Sequence, residues 1–326
     1  MIEHLVFSGG AIVGFTYLGM LKYLTFHKEI DMSKIKSFRG TSIGCIIATL
    51  LAMKYSCTDI EEYAVNLNWL SIFDFNISTL IDALRVGGVF NKTTVIKLIK
   101  PFFLGKDFSI DITLQELYEY NPVDLYLYST NLTDFTLTEF SHKTHPSMTV
   151  MDALYASCAI PVVFCPLQYE NKVYIDGAIF LNYPLQPCID EVEDVNTIMG
   201  FLSSYDLIDI GANDAKSSNN SSKHLEPGQS KYMLLEYLYD FFMKIWKRIS
   251  YDKLICIEPS PQQYCAKCSM SYDEMVNCMK YKENRERMIL LGIGIAADIV
   301  EGKMKKTTTE TTSSINSDSS TDETIF

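Results

Sequence analysis

The sequence predicts an α/β fold, a three-layer α/β/α sandwich on a mainly parallel central sheet. Two observations carry that expectation. Short apolar runs alternate with helical patterns in the order strand, glycine turn, helix, strand, turn, helix, the rhythm of a sheet built by crossover connections. The segment from Ile43 to Tyr55 is also apolar nearly all round, as a helix buried on most sides must be.

The elements follow in order. His4 to Ser8 is a short apolar run ending in Gly9-Gly10, and a helical pattern runs from Phe15 to about His27. Lys36 to Gly40 reads as a second short strand leading into the Ile43 helix. Asp59 to Asp111 reads as helices rich in aromatics, among them Trp69, Phe73, Phe75, Phe102 and Phe103. Such rings suit an ordinary core first, and an acyl-chain pocket or membrane-facing rim second. Val123 to Thr130 and Phe135 to Phe140 flank a turn at Asn131 to Asp134 and form a hairpin. Val150 to Cys158 suits one short helix, and Cys165 to Tyr169 with Lys172 to Ile175 a second hairpin around Glu170-Asn171. Val195 to Phe201 is a further strand.

From Ser203 to Ser230 the chain turns polar, the composition of a long, mobile surface loop. Tyr232 to Ile249 then reads as a helix and Lys253 to Ile257 as a last strand. Ser271 with Glu274 forms a capping-box pattern that opens one long helix to about Val300. The Ser/Thr-rich acidic tail, 303–326, has no apolar period and is expected to be disordered, leaving one domain over 1–302.

The formal net charge of −12 excludes the basic stripe that nucleic-acid binding requires. It equally disfavours docking on anionic membranes through a polybasic patch, so any lipid surface would be met by apolar side chains. Nine cysteines, an odd number thinly spread, read as free thiols in a reducing compartment. Cys265-Ala-Lys-Cys268 has the spacing of half a zinc site, but no second close pair completes four ligands. The N-terminus lacks the marks of a signal peptide, and no run approaches the ~18 apolar residues of a membrane span. The expectation is an intracellular, cytoplasmic protein, not secreted, that makes at most peripheral contact with a membrane.

Gly40-Thr41-Ser42-Ile43-Gly44 fits G-x-S-x-G between a strand and an apolar helix. A sharp strand-to-helix turn strains the serine, and side chains at the two flanking positions would collide across it. Ser42 would then sit at a helix N-terminus, where free amides and the dipole favour developing negative charge. The plainer alternative is a helix cap.

Ser8-Gly9-Gly10-Ala11-Ile12-Val13-Gly14 follows the first strand and opens the next helix, so several amides can turn toward one point. A dinucleotide site would want glycine where Ala11 stands and an acidic residue ending a second strand. An oxyanion hole, with amides at Gly9, Gly10, Ala11 and Gly14, agrees better with a G-x-S-x-G so soon after.

A serine nucleophile needs a base. Of the five histidines only His224 follows both Ser42 and Asp176, the chain order of a hydrolase triad, but it lies in the polar loop. Asp176 ends the strand Lys172-Val-Tyr-Ile175 and is followed by Gly177-Ala178, a placement that can aim a carboxylate into a cleft. Burial would raise its pKa toward neutrality and make it a better base. Asp-Gly is also an ordinary turn dipeptide. Asp134 and Asp152 read as turn and capping residues.

Taken together, these segments resemble the patatin-like phospholipases. Leu5 to Gly14 with Tyr17-Leu-Gly19 resembles the family's glycine-rich segment, and Gly40 to Gly44 its nucleophile elbow. Ala156-Ser-Cys-Ala-Ile-Pro-Val-Val-Phe-Cys-Pro166 resembles its A-S-x-A-x-P-x-x-F-x-P stretch. Tyr174-Ile-Asp-Gly-Ala178 with Asn182-Tyr-Pro184 resembles its second catalytic block. The clear resemblance covers residues 2–202. It implies a lipid acyl hydrolase with a Ser42-Asp176 dyad, acting on fatty acyl esters of phospholipids or lysophospholipids without metal or cofactor. The amides of Gly9, Gly10 and Ala11 would hold the oxyanion. Two departures stand out: Ala11 replaces a third glycine, and Val13 replaces the usual Lys or Arg. They leave open a protein that binds lipid on this fold without turning it over.

Overall fold

The computed structural model describes residues 1–73, 83, 85–204, 263–267 and 272–302. Its strands are β1 (His4–Phe7), β2 (Ser37–Thr41), β3 (Gly88–Phe90), β4 (Asp124–Asn131), β5 (Thr136–Phe140), β6 (Val162–Phe164), β7 (Leu167–Tyr169), β8 (Lys172–Asp176), β9 (Ile198–Ser204) and β10 (Gln263–Lys267). The first helices are α1 (Val13–Phe26), α2 (Ile43–Ala52), α3 (Cys57–Asn66), α4 (Trp69–Ile72) and α5 (Lys92–Leu104). They are followed by α6 (Leu114–Tyr120), α7 (Val150–Cys158), α8 (Leu185–Glu191), α9 (Tyr272–Lys280) and α10 (Lys282–Val300).

The main sheet runs β10-β9-β1-β2-β4-β8-β7, with β5 on the other flank of β4. Neighbours from β10 through β4 are parallel. The pairings β4–β5, β4–β8 and β8–β7 are antiparallel. Parallel strands covered on both faces need apolar side chains on both, and Leu5, Val6 and Phe7 are all fully buried. Leu5 and Phe7 join the core formed with α1, α2, α7 and α10, whereas Val6 packs with Leu185 and Cys188 of α8 on the opposite face. These are the three layers.

The second face also fixes β2 just ahead of its end. Arg39 is buried, reaches Glu191 of α8 at 2.5 Å, donates to Tyr128 Oη at 2.9 Å and lies 3.7 Å from the centre of the Tyr126 ring. A buried guanidinium matched in this way is costly to disturb, because removing one partner leaves a charge without compensation.

The sheet register brings β2 and β8 end to end. β2 pairs with Asp124 to Tyr128 of β4, whereas β8 pairs with Ser129 to Asn131. Because β5 occupies the opposite flank over Leu127 to Asn131, β2 and β8 share one flank and approach from opposite directions. Thr41 lies beside Tyr128, and Asp176 beside Ser129, the next residue of β4.

Three expectations are corrected. The stretch 59–111 is not all helical: Gly88–Phe90 pairs in parallel with Val162–Phe164 in a separate two-stranded sheet. The C-terminal helix is broken at Tyr281, which is extended at φ −118° and ψ 125°. There Arg285 donates to the Cys278 and Met279 carbonyls at 2.6 and 3.2 Å, satisfying the end of α9 in place of a continued helix. A strand occurs at Gln263–Lys267, carrying Cys265 of the C-x-x-C pair. The loop expected over 203–230 starts later, since Ser203 and Ser204 end β9. Its remainder from 205, the helix at 232–249, the strand at 253–257, His224, Cys268, the capping residue Ser271 and the tail 303–326 lie outside the described residues.

Candidate active site

Ser42 occupies the turn between β2 and α2 at φ 55° and ψ −124°. A non-glycine residue there is strained by ~1–3 kcal/mol and persists only where its surroundings hold it. The bracketing glycines make the turn sterically feasible. A side chain on Gly40 would run into the Gly44 backbone, and one on Gly44 would lie 2.5 Å from the Phe7 carbonyl oxygen.

Asp176 ends β8 at 3% exposure, facing Ser42 at 5%. Its Oδ1 accepts the Ala178 N–H at 2.8 Å, while Oδ2 is buried without a hydrogen-bond partner. Burial pushes the carboxyl up to about 7, opposed first by the Ala178 N–H and then by the Ser42 hydroxyl. The two side chains therefore act on one another without a closed hydrogen bond, as catalytic pairs often do before substrate tightens them. Gly177 packs on the Tyr128 backbone and lets β8 end this close to β4.

In the glycine loop the structure alters the donor set. The Gly9 amide donates to the Asn182 carbonyl at 3.0 Å, and the Gly14 amide to the Ala11 carbonyl at 3.2 Å, so neither is free for an oxyanion. Among the described residues, no acceptor engages the amides of Gly10 and Ala11. Gly9 serves by smallness instead: a Cβ on it would lie 3.2 Å from Ser42 Cβ and 2.5 Å from Asn182 Oδ1. The loop is braced from behind by buried hydroxyls. Ser8 Oγ meets Tyr17 Oη at 2.7 Å, and Ser203 Oγ donates to the Gly9 carbonyl at 2.8 Å. Val13 is fully buried in the main core, which explains an apolar residue at a position where a charge would be stranded.

Ala11 has φ 46°, the left-handed region in which a Cβ costs ~1–2 kcal/mol. Replacing it with glycine should raise the stability by about 1 kcal/mol, less the entropy glycine returns to the unfolded chain. A urea midpoint that rises at constant slope would bear this out, and an unchanged or lower midpoint would not.

Ala11, Ser42 and Asp176 all open on one cavity of about 680 Å³. Apart from that polar end and from Asp273 and Lys280 of α9 its wall is mostly apolar, from Leu18 of α1 and Ile47 of α2 to Trp69, Phe73, Leu98 and Phe102. Of the aromatics expected as core, Trp69, Phe73 and Phe102 belong to the core cluster and line the cavity as well, Phe103 is buried in the core away from the wall, and Phe75 lies outside the described residues. Leu70 and Val162, 48% and 44% exposed, belong to the wall and also face outward. His4, His27, His142 and His145 contribute nothing to the wall. Among the described residues no group of three or more His, Cys, Asp or Glu is arranged to hold a metal, and no helix is long and apolar enough to cross a membrane.

Ser157 was legible only as part of the A-S-x-A stretch, yet its Oγ accepts the Ser42 amide at 3.0 Å. The loop-bracing carbonyl of Asn182 had no sequence signal beyond the N-Y-P triplet.

The chain is similar to proteins already known. The family model described as patatin-like phospholipase matches residues 5–189. The chain is 33% identical over 187 residues to "Probable lipid hydrolase 463L" of Invertebrate iridescent virus 6, covering 57% of this chain and 62% of that protein. It is 28% identical over 192 residues to "Uncharacterized protein R571" of Acanthamoeba polyphaga mimivirus, covering 59% of this chain and 63% of the other. The match thus spans less than two thirds of either relative. Among solved structures, VipD from Legionella pneumophila aligns over 90% of this chain and 67% of its own, at 15% identity and a TM-score of 0.46.

Proposed function

Because the chain belongs to the patatin-like phospholipase family, we propose that it hydrolyses fatty acyl esters of phospholipids or lysophospholipids through a Ser42-Asp176 dyad. The observation that carries this reading is the meeting of Ser42 and Asp176 at the polar end of a large apolar cavity. An acyl chain entering it gains ~0.8 kcal/mol per buried CH₂, which presents its carbonyl to Ser42.

In this mechanism Asp176 takes the Ser42 proton as Oγ attacks the ester carbonyl. The amides of Gly10 and Ala11 receive the negative charge of the tetrahedral intermediate, in the role first assigned to a larger donor set. The alcohol leaves with the proton from Asp176, and the acyl group stays on Ser42. Asp176 then takes a proton from the water that attacks the acyl carbonyl and passes it to Ser42 Oγ as the Oγ–acyl bond breaks, which releases the fatty acid and restores the dyad. The dipole of α2 assists at its N-terminus, where no side chain caps the helix.

A base pushed up to about 7 must lose its proton before it can act. Fatty-acid release from phosphatidylcholine and lysophosphatidylcholine vesicles should therefore rise with pH along an acid limb centred near 7 and level off above it. Contact with the vesicle would rest on Leu70 and Val162 rather than on charge, so moderate salt should leave the rate unchanged. Release that stays constant from pH 5 to 8 would remove Asp176 as the base. Lipid retained without any fatty acid released would favour the silent, lipid-binding reading, which the strained Ala11 keeps in view.

A further inference from the structure

Ser42 just past the end of β2 and Asp176 at the end of β8 belong to different strands, so what packs around them must hold the strained serine and the buried carboxylate in register. The contacts converge on four consecutive residues at the end of α7. The Ser42 N–H donates to Ser157 Oγ at 3.0 Å, and the Ser157 hydroxyl spends its one proton on the Tyr128 carbonyl at 2.6 Å. Cys158 Sγ lies 3.3 Å from the Ser42 carbonyl oxygen and donates to it. Contact with Cys45 and burial both push the Cys158 thiol up, which keeps it a protonated donor. Ala159 then offers its carbonyl to the Asp176 N–H at 2.9 Å. One residue earlier, Ser129 Oγ bridges the Ala156 and Ile175 carbonyls at 3.0 and 2.8 Å.

Resting on the dyad reading, we propose that Ser157, Cys158 and Ala159 form a positioning clamp that sets the distance between nucleophile and base. Ser157 and Cys158 grip the two sides of the Ser42 backbone, and Ala159 grips the backbone of Asp176. None of the three touches the reacting atoms by this assignment. The grip at the Ser42 amide matters most, because Ser157 Oγ is its acceptor and that Oγ is itself pinned to β4. The Ser42 carbonyl has other partners: Cys45 N–H at 2.9 Å and Ile46 N–H at 3.4 Å. Ser157 and Cys158 are both buried and each loses one heavy atom on substitution by alanine, and Cys158 also lines the cavity, so a purely structural role predicts a loss for Cys158→Ala at least as large as for Ser157→Ala.

The clamp predicts a different pattern, read on the full chain with a soluble nitrophenyl ester. Ser157→Ala should lower kcat by ~10–100-fold, the size of effect expected from misplacing reacting groups by up to an ångström. KM should stay within about 2-fold, since substrate binding is not involved. The acid limb should remain near its wild-type position, because Asp176 stays buried. Cys158→Ala should lose less than about 5-fold in kcat, given its redundant partners. If Ser157→Ala does not fold, Ser157→Cys is read in its place, its sulfur a weaker acceptor, with an expected kcat below wild type at unchanged KM. Wild-type kcat in the variant read, a loss shared with KM, or an equal loss in Cys158→Ala would overturn the clamp. Turnover surviving in Ser42→Ala would instead overturn the dyad beneath it, so the two failures are told apart.

Discussion

Ser42→Ala should lower kcat on fatty acyl esters by about 10⁴-fold or more while leaving the protein folded. Loss of an activated nucleophile in serine hydrolases has effects of this order, the residue left over coming from binding and oxyanion stabilisation. The variant keeps its fold because alanine makes the same demand on the turn as serine, a Cβ at φ 55°. Its amide and carbonyl still meet Ser157 and Cys158, and only the hydroxyl facing Asp176 is gone. Lipid binding in the cavity should persist, since the apolar wall is untouched. The check is kcat and a lipid-retention assay on one preparation: turnover within tenfold of wild type would mean that another group attacks the ester.

Asp176→Asn should lower kcat by about 10³–10⁴-fold, as removing the base or its partner does elsewhere. It should also make the protein more stable at neutral and alkaline pH. The sign follows from linkage. Burial raises the folded carboxyl to about 7, above its ordinary value near ~3.9. A raised folded pKa gives stability that is fully present below pH ~4 and lost as the pH climbs through 7. Asparagine keeps the shape and carries no charge to desolvate, so the advantage of the variant should grow across that window and then hold constant. Denaturant titrations of both proteins at pH 4 and pH 8 read this directly. Equal midpoints at pH 8 would mean that the carboxylate is not held in an apolar environment.

The same residues explain what the sequence can reveal. The elbow was legible because everything it needs is local: a buried strand, Gly40 and Gly44 around Ser42, and an apolar helix. The layered sheet was legible for the same reason, through apolar runs such as Leu5-Val-Phe7 that are buried on both sides. The meeting of Ser42 with Asp176 is not local, because it depends on β2 and β8 sharing one flank of β4. Only the ordered set of motifs hinted at it. Which amides of the glycine loop already have a partner was not legible, because the fate of the Gly9 amide is decided by Asn182, on the far side of β8 in sequence. The break at Tyr281 was hidden for a like reason: Arg285 satisfies carbonyls that a sequence pattern assumes are satisfied within the helix. β3 and β6, three residues each, are too short for any period to register.

The central claim is that Ser42 becomes the covalent acyl carrier under the control of Asp176. A fluorophosphonate reports on this most directly, because it reacts only with an activated hydroxyl and stays on the oxygen that attacked it. Intact mass and peptide mapping after labelling should place one adduct on the peptide containing Ser42 in the wild-type protein. Labelling should be absent in Ser42→Ala and strongly slowed in Asp176→Asn. An adduct on any other residue would contradict the assignment, as would ester hydrolysis by a protein that takes up no label at all.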